Sequence, residues 1–119
     1  VYAIVRNDLE MPIGKLAAQA GHAYTDTLYQ AHDTDPERYH AYRIDGTGGS
    51  KVTLKAKNES KLIKAYNDCI ALGIPCAIIV DREHILPPHF DGSPIITALG
   101  IGPCAKSEVK QITKKFNCL

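Results

Sequence analysis

The chain predicts an α/β fold, specifically a three-layer α/β/α sandwich around a four-stranded mixed sheet. Two continuous apolar runs, Val1-Tyr2-Ala3-Ile4-Val5 and Cys76-Ala77-Ile78-Ile79-Val80, have the form of strands covered on both faces. Apolar residues elsewhere recur at helical spacing, as in Leu62, Ile63, Tyr66, Ile70 and Ala71. The two patterns alternate along the chain, and strands of this kind are buried only when helices cover the sheet. A length of 119 residues supports one domain with a modest core, so residues 1–119 are expected to form a single unit.

The first strand ends in the polar triplet Arg6-Asn7-Asp8, and Pro12 precedes the first helix, where a fixed φ and a missing N–H are tolerated. This helix is expected from about Gly14 to His32. Lys15, Gln19, His22 and Asp26 follow one another at helical steps and share a face, while Leu16, Ala17, Ala20, Ala23, Thr27 and Leu28 share the opposite one. The small-residue face suits close packing on a sheet, and the polar stripe is expected to look outward. Lys15 falls in the first turn, where free N–H groups and the macrodipole already supply partial positive charge. Its ammonium is unfavourable there by a few tenths of a kcal/mol, and the concentrated positive potential suits an anion. An ordinary amphipathic helix accounts for the spacing equally well.

Asp33-Thr34-Asp35-Pro36 resets the chain for a shorter helix from Glu37 to about Tyr42. Gly46 to Ser50 reads as a turn. Lys51-Val52-Thr53-Leu54-Lys55-Ala56 alternates polar and apolar residues, as a half-buried strand nearer a sheet edge would. Asn58-Glu59-Ser60 caps the third helix, Gly73 stops it and Pro75 prevents its resumption. Pro94 to Leu99 is the last expected strand. A closing helix follows from Ser107-Glu108, with Val109, Ile112 and Phe116 on its buried side. The residues between Val80 and Pro94 are too few for a helical crossover, so the last two strands should run antiparallel.

Fourteen basic residues nearly cancel thirteen acidic ones, and a net charge of +1 does not by itself indicate a nucleic-acid binder. Distribution says more. Lys51, Lys55, Lys57, Lys61 and Lys64 crowd one stretch, and Lys106, Lys110 and Lys114 recur every four residues beside Lys115. Such stripes either follow a phosphate backbone or face solvent. No apolar run approaches the roughly 20 residues that cross a bilayer, so no membrane partner is expected. Cys69, Cys76, Cys104 and Cys118 form no C-x-x-C pair and lack zinc-site histidine spacing, and the histidines show no H-E-x-x-H pattern. Free thiols in a reducing cytoplasm, with no metal and no cofactor, are the expectation.

In open α/β sheets ligands collect beyond the carboxyl ends of strands. The connection from Asn7 to Lys15 and the residue Asp81 both follow apolar strands at that position. If those strands are parallel neighbours, Lys15 and Asp81 meet at one edge, either as a structural ion pair or as working chemistry.

Four ordered blocks bear on that choice. Val5-Arg6-Asn7-Asp8-Leu9-Glu10-Met11 with Gly14-Lys15-Leu16-Ala17-Ala18-Gln19 and His22-Ala23 resembles the opening motif of the archaeal and eukaryotic (type II) peptidyl-tRNA hydrolases. Lys51 to Lys55, then Gly73-Ile74-Pro75 leading to Asp81, and finally Leu99-Gly100-Ile101-Gly102-Pro103 resemble the later signatures of that family in the same order. The resemblance implies hydrolysis of the ester joining a peptide to the terminal ribose of tRNA, with the acceptor end of peptidyl-tRNA as partner, no cofactor and a homodimer. It implies that Lys15 and Asp81 are catalytic. Thr97 matches one family threonine. The other, a few residues beyond the aspartate, has no counterpart in Asp81-Arg82-Glu83-His84-Ile85, and His84 lies near its place with a side chain suited to proton transfer; a solvent-facing loop histidine is the plainer reading. His22 joins the catalytic candidates, and Asn7, Gly14, Gln19, Arg82, Lys106 and Lys110 are the candidates for binding substrate. The stretch from Leu86 to Pro94, longer than the family's loop, is either a lid or stacking platform for the terminal adenosine or a stiff hairpin loop with Phe90 folded back. The alternative to an enzyme is a silent module on the same scaffold that binds tRNA or a peptide conjugate without cleaving it.

Overall fold

The computed structural model describes residues 1–43, 49–82 and 93–119, together with the backbone of 85–86 and 90–91. In chain order its elements are β1 (Tyr2–Arg6), α1 (Ile13–Thr34), α2 (Pro36–Arg43), β2 (Val52–Ala56), α3 (Glu59–Leu72), β3 (Cys76–Asp81), β4 (Ile85–Leu86), β5 (Phe90–Asp91), β6 (Ile95–Ile101), α4 (Lys106–Thr113) and β7 (Asn117–Cys118). The main sheet is mixed and has five strands, not four, in the order β3-β6-β1-β2-β7. The unforeseen strand, β7, pairs only Leu54 with Cys118 and Lys55 with Asn117, too short a run to show an alternating pattern in the sequence. It occupies the edge beyond β2, which still lies nearer an edge than the central β1, as expected.

β1 and β2 are parallel, and β6 runs antiparallel to both β1 and β3. The expected antiparallel relation of the last two sheet strands before α4 is thus present. β1 and β3 share a direction but are not neighbours, because β6 lies between them. The segment after β3 turns back as a small antiparallel hairpin, β4 against β5. The glycine-rich turn at Gly46 and the tip of the Leu86–Pro94 stretch lie outside the described residues, apart from their flanks.

Side chains of β1 alternate cleanly between two cores. Tyr2 and Ile4 join Leu54, Leu62, Ala65, Cys69, Leu99, Ile101, Val109 and Ile112 under α3 and α4. Ala3 and Val5 join Leu9, Met11, Ala20, Ala23, Ile79 and Ala98 under α1. Where α1 meets β6 this core is built from small residues, Ala20, Ala23 and Ala98, and the helix lies close on the strand. A Cβ placed on Gly100 would collide with the Ala23 carbonyl, so glycine is what lets the helix backbone reach the strand.

The helix boundaries follow local chemistry. Asn58 caps α3 by accepting from the Lys61 N–H at 3.0 Å, and Gly73 ends it in the left-handed conformation at φ 70°. In α4, the Glu108 carboxylate turns back to accept from the Ala105 N–H at 2.7 Å. The four cysteines form no disulfide; Cys69 and Cys76 are buried, Cys104 half-buried and Cys118 exposed. Contact with Cys76, then burial, pushes the Cys69 thiol far above its ordinary range, so it packs as a small hydrophobe. Among the described residues, no helix is long and apolar enough to cross a membrane.

Candidate active site

The connection from β1 to α1 delivers Lys15. Arg6, at the end of β1, grips Asp8 through two bonds of 2.7 and 3.1 Å and donates a third, of 3.0 Å, to the Ile96 carbonyl on β6. Glu10 then takes a left-handed φ of 52°, which leaves it exposed between Leu9 and Met11, both buried. Pro12 opens α1 with no side-chain cap and no acidic residue in the first turn. The N–H groups that lack intrahelical partners at a helix start therefore lie beside Lys15.

Asp81 ends β3 and meets Lys15 across the sheet. The Lys15 Nζ lies 2.6 Å from Asp81 Oδ2, with the side chains 28% and 12% exposed. The pair does not need adjacent strands, because α1 runs along β6 and β3 together, with Gln19, Ala23 and Thr27 meeting Thr97, Gly100 and Gly102 in turn. The polar stripe on α1 divides accordingly. His22 and Asp26 are exposed, whereas Gln19 points inward at 7% exposure and accepts a 2.5 Å hydrogen bond from the buried Thr97 hydroxyl. A groove of about 280 Å³ runs along this side, lined by Gln19, His22, Asp26, Ile79, Val80 and Asp81.

Thr97 reaches Gln19 because β6 carries a β-bulge. Ile79 pairs with Ala98 and Val80 with Ile96, so Thr97 is the extra residue. Strict alternation from Leu99, which faces α3, would send Thr97 the same way. Instead Thr97 and Ala98 both face α1, and the phase beyond is reversed: Ile96 packs against the α3 core and Ile95 against the α1 core.

The other candidates are spread more widely. Asn7 is exposed just after β1, its N–H donating to the Ala56 carbonyl at 2.8 Å. Gly14 is exposed in the first turn of α1, with open space where a Cβ would stand, and Arg82 is exposed next to Asp81. Lys106 and Lys110 are exposed on α4, whose buried residues Val109 and Ile112 pack on the sheet face opposite to α1. His84 lies outside the described residues. Sequence reasoning missed Arg6 as a group that ties the site's entry loop to the bulged strand. The signal was a basic residue closing an apolar strand with a carboxylate two positions later. Among the described residues, no cluster of three or more His, Cys, Asp or Glu side chains could hold a metal ion.

A family model described as "Peptidyl-tRNA hydrolase PTH2" matches residues 1–119. Proteins named peptidyl-tRNA hydrolase are similar over nearly the same span. That of Methanococcus vannielii is 35% identical over 118 residues, covering 98% of this chain and 95% of its own. That of Methanocaldococcus jannaschii is 35% identical over 117 residues, covering 98% and 96%. That of Thermococcus sibiricus is 34% identical over 111 residues, covering 92% and 88%.

Proposed function

The chain belongs to the PTH2 family of peptidyl-tRNA hydrolases, its reaction is hydrolysis of the ester between peptide and tRNA, and we propose that the Lys15–Asp81 pair carries out that reaction. The observation behind the assignment is the 2.6 Å approach of an ammonium and a carboxylate at the carboxyl end of the sheet, beside an open groove. No finding favours the binding-only alternative.

Ester hydrolysis forms a bond from a water oxygen to the carbonyl carbon, holds negative charge on the carbonyl oxygen, then breaks the bond to the ribose oxygen. Asp81 orients the water and accepts its proton. Lys15, next to the free N–H groups of α1, donates to the developing oxyanion, where fixed positive charge lowers the barrier most. The proton taken by Asp81 passes to the departing ribose oxygen. The Thr97–Gln19 hydrogen bond fixes the helix turn that carries Lys15, which makes these two positioning residues. His22 stands on the groove wall and His84 follows Asp81 in the chain; both are kept as candidates for moving protons at the leaving group. Asn7, Gly14 and Arg82 would meet the ribose-phosphate end of the substrate, and Lys106 and Lys110 RNA further from the ester.

The two cores read as a three-layer α/β/α sandwich in one domain, and we place the protein in the cytoplasm as a homodimer. Sedimentation at micromolar concentration tests the dimer, with a monomer overturning it. The catalytic assignment is tested with a model N-acyl-aminoacyl-tRNA. Lys15→Ala should lose about 10²-fold or more in turnover, the scale of general acid–base help, while melting no earlier than the parent by more than a few degrees. A fully active Lys15→Ala protein would sink the assignment.

A further inference from the structure

The first lysine-rich stretch of the chain meets the end of the second, at Lys115, in the fold. Lys55, Lys57, Lys61 and Lys64, around the start of α3, and Lys115, just after α4, line one groove of about 320 Å³ over a floor that includes Ile112 and Phe116. All but the half-buried Lys55 are exposed. One carboxylate, Asp68, shares the groove and engages Lys64 at 3.4 Å. A cleft of one charge sign with an apolar wall focuses potential and gathers polyanions.

The groove lies on the α3/α4 face of the sheet, opposite to α1, and comes toward the chemistry through Lys57 at the end of β2. β1, β2 and β3 point the same way, so Arg6, Ala56 and Asp81 end along one rim of the sheet. Lys57 and the first turns of α3 follow directly from the β2 end of that rim. From β3 to β2 there are three strand spacings, or about 14 Å at about 4.8 Å each. An RNA strand that joins the two sites must therefore pass around this rim, over several nucleotides.

We propose that this lysine groove is a second RNA-binding surface, which holds the phosphate backbone of the substrate several nucleotides from the ester while the ester lies at Lys15 and Asp81. The inference rests on the hydrolase reading and adds a site to it. Phosphate contacts position a nucleic acid without reading its sequence, so the groove contributes affinity for tRNA length and not choice among tRNAs.

The test compares the parent with a Lys57→Ala/Lys61→Ala/Lys115→Ala variant on two substrates, full-length N-acyl-aminoacyl-tRNA and the same acyl group on a short 3′-terminal oligonucleotide. For the full-length substrate KM should rise about tenfold or more with kcat unchanged, and the slope of log affinity for deacylated tRNA against log salt should fall by nearly 1 per lysine removed. Turnover of the short substrate should be unaffected. An unchanged KM and salt slope for tRNA would overturn the proposal and leave the groove to some other anion, such as an acidic peptide. Equal loss on both substrates, or a lowered melting temperature, would also overturn it by showing a structural role. A parent that hydrolyses neither substrate would be a failure of the hydrolase reading instead, and the salt slope for tRNA would still judge the groove.

Discussion

The two faces of the sheet are packed by different rules. Under α3 and α4 the fully buried residues are large aliphatics, Leu62, Leu99, Ile101 and Val109, with the Cys69 thiol beside them. Under α1, Val5 and Leu9 share the interior with Ala3, Ala23 and Ala98 and with three buried polar side chains, Gln19, Thr27 and Thr97. Each threonine there has a partner: Thr97 donates to Gln19, and Thr27 donates to the Gly102 carbonyl at 2.8 Å. The first face gains stability from buried apolar area. The second gives up some of that gain to hold a helix close enough for Lys15 to reach Asp81. Stability and turnover should therefore separate by face.

The sharpest way to break this comparison is Leu62→Ala. It should cost about 2–5 kcal/mol by leaving a cavity yet leave turnover near the parent's at a temperature where the variant is folded. Urea melts and the hydrolysis assay check the two halves, and a large loss of turnover in folded protein would contradict the division. Next is Gly100→Ala, which pushes a methyl group into the Ala23 backbone. An overpacking cost of about 1–3 kcal/mol is expected, together with slower hydrolysis because α1 must move. Thr97→Val should follow, at about 1–3 kcal/mol for a Gln19 carbonyl left buried without its donor. If kcat falls for Thr97→Val while KM holds, the hydroxyl positions Lys15 through its helix; an unchanged kcat would confine Thr97 to stability.

The smallest effect sharpens the picture at the start of α4. The Arg38 guanidinium, at 2.9 and 3.0 Å, and then the Ala105 N–H hold the Glu108 carboxyl below its ordinary 4.5. A lowered folded-state pKa stabilises the protein above the unfolded value and loses that contribution as pH falls through the lowered one. The parent should thus lose a small increment of stability below about pH 4.5 that Glu108→Gln never had, seen as converging melts toward acid. Because the carboxylate is well exposed, the increment is modest.

Much of this architecture was legible because local signals agreed. Asn58, Gly73 and Pro75 bound α3 as capping chemistry requires, and the apolar run of β1 told of double coverage; the run of β3 did not, since β3 lies at the sheet edge with Val80 exposed. β7 escaped because two residues cannot show a period. The placement of β6 between β1 and β3 escaped because pairing order is a long-range property that no window of sequence contains. At the candidate site, the types and spacing of Lys15 and Asp81 were readable, but the inward turn of Gln19 was not. A glutamine at an amphipathic boundary faces the core only when a partner such as Thr97 is there to meet it, and that partner was brought round by an extra residue in another strand.

That extra residue makes β6 change parity partway along its length. Anyone who counts odd and even positions down the strand from Ile101 assigns Ile95 and Ile96 to the wrong layers, and a protein engineer repacking either core by alternation would swap the two. A single-residue deletion at Thr97 would restore regular pleating and, in the same stroke, take the hydroxyl away from Gln19, so a regular strand here and the Thr97–Gln19 bond exclude each other.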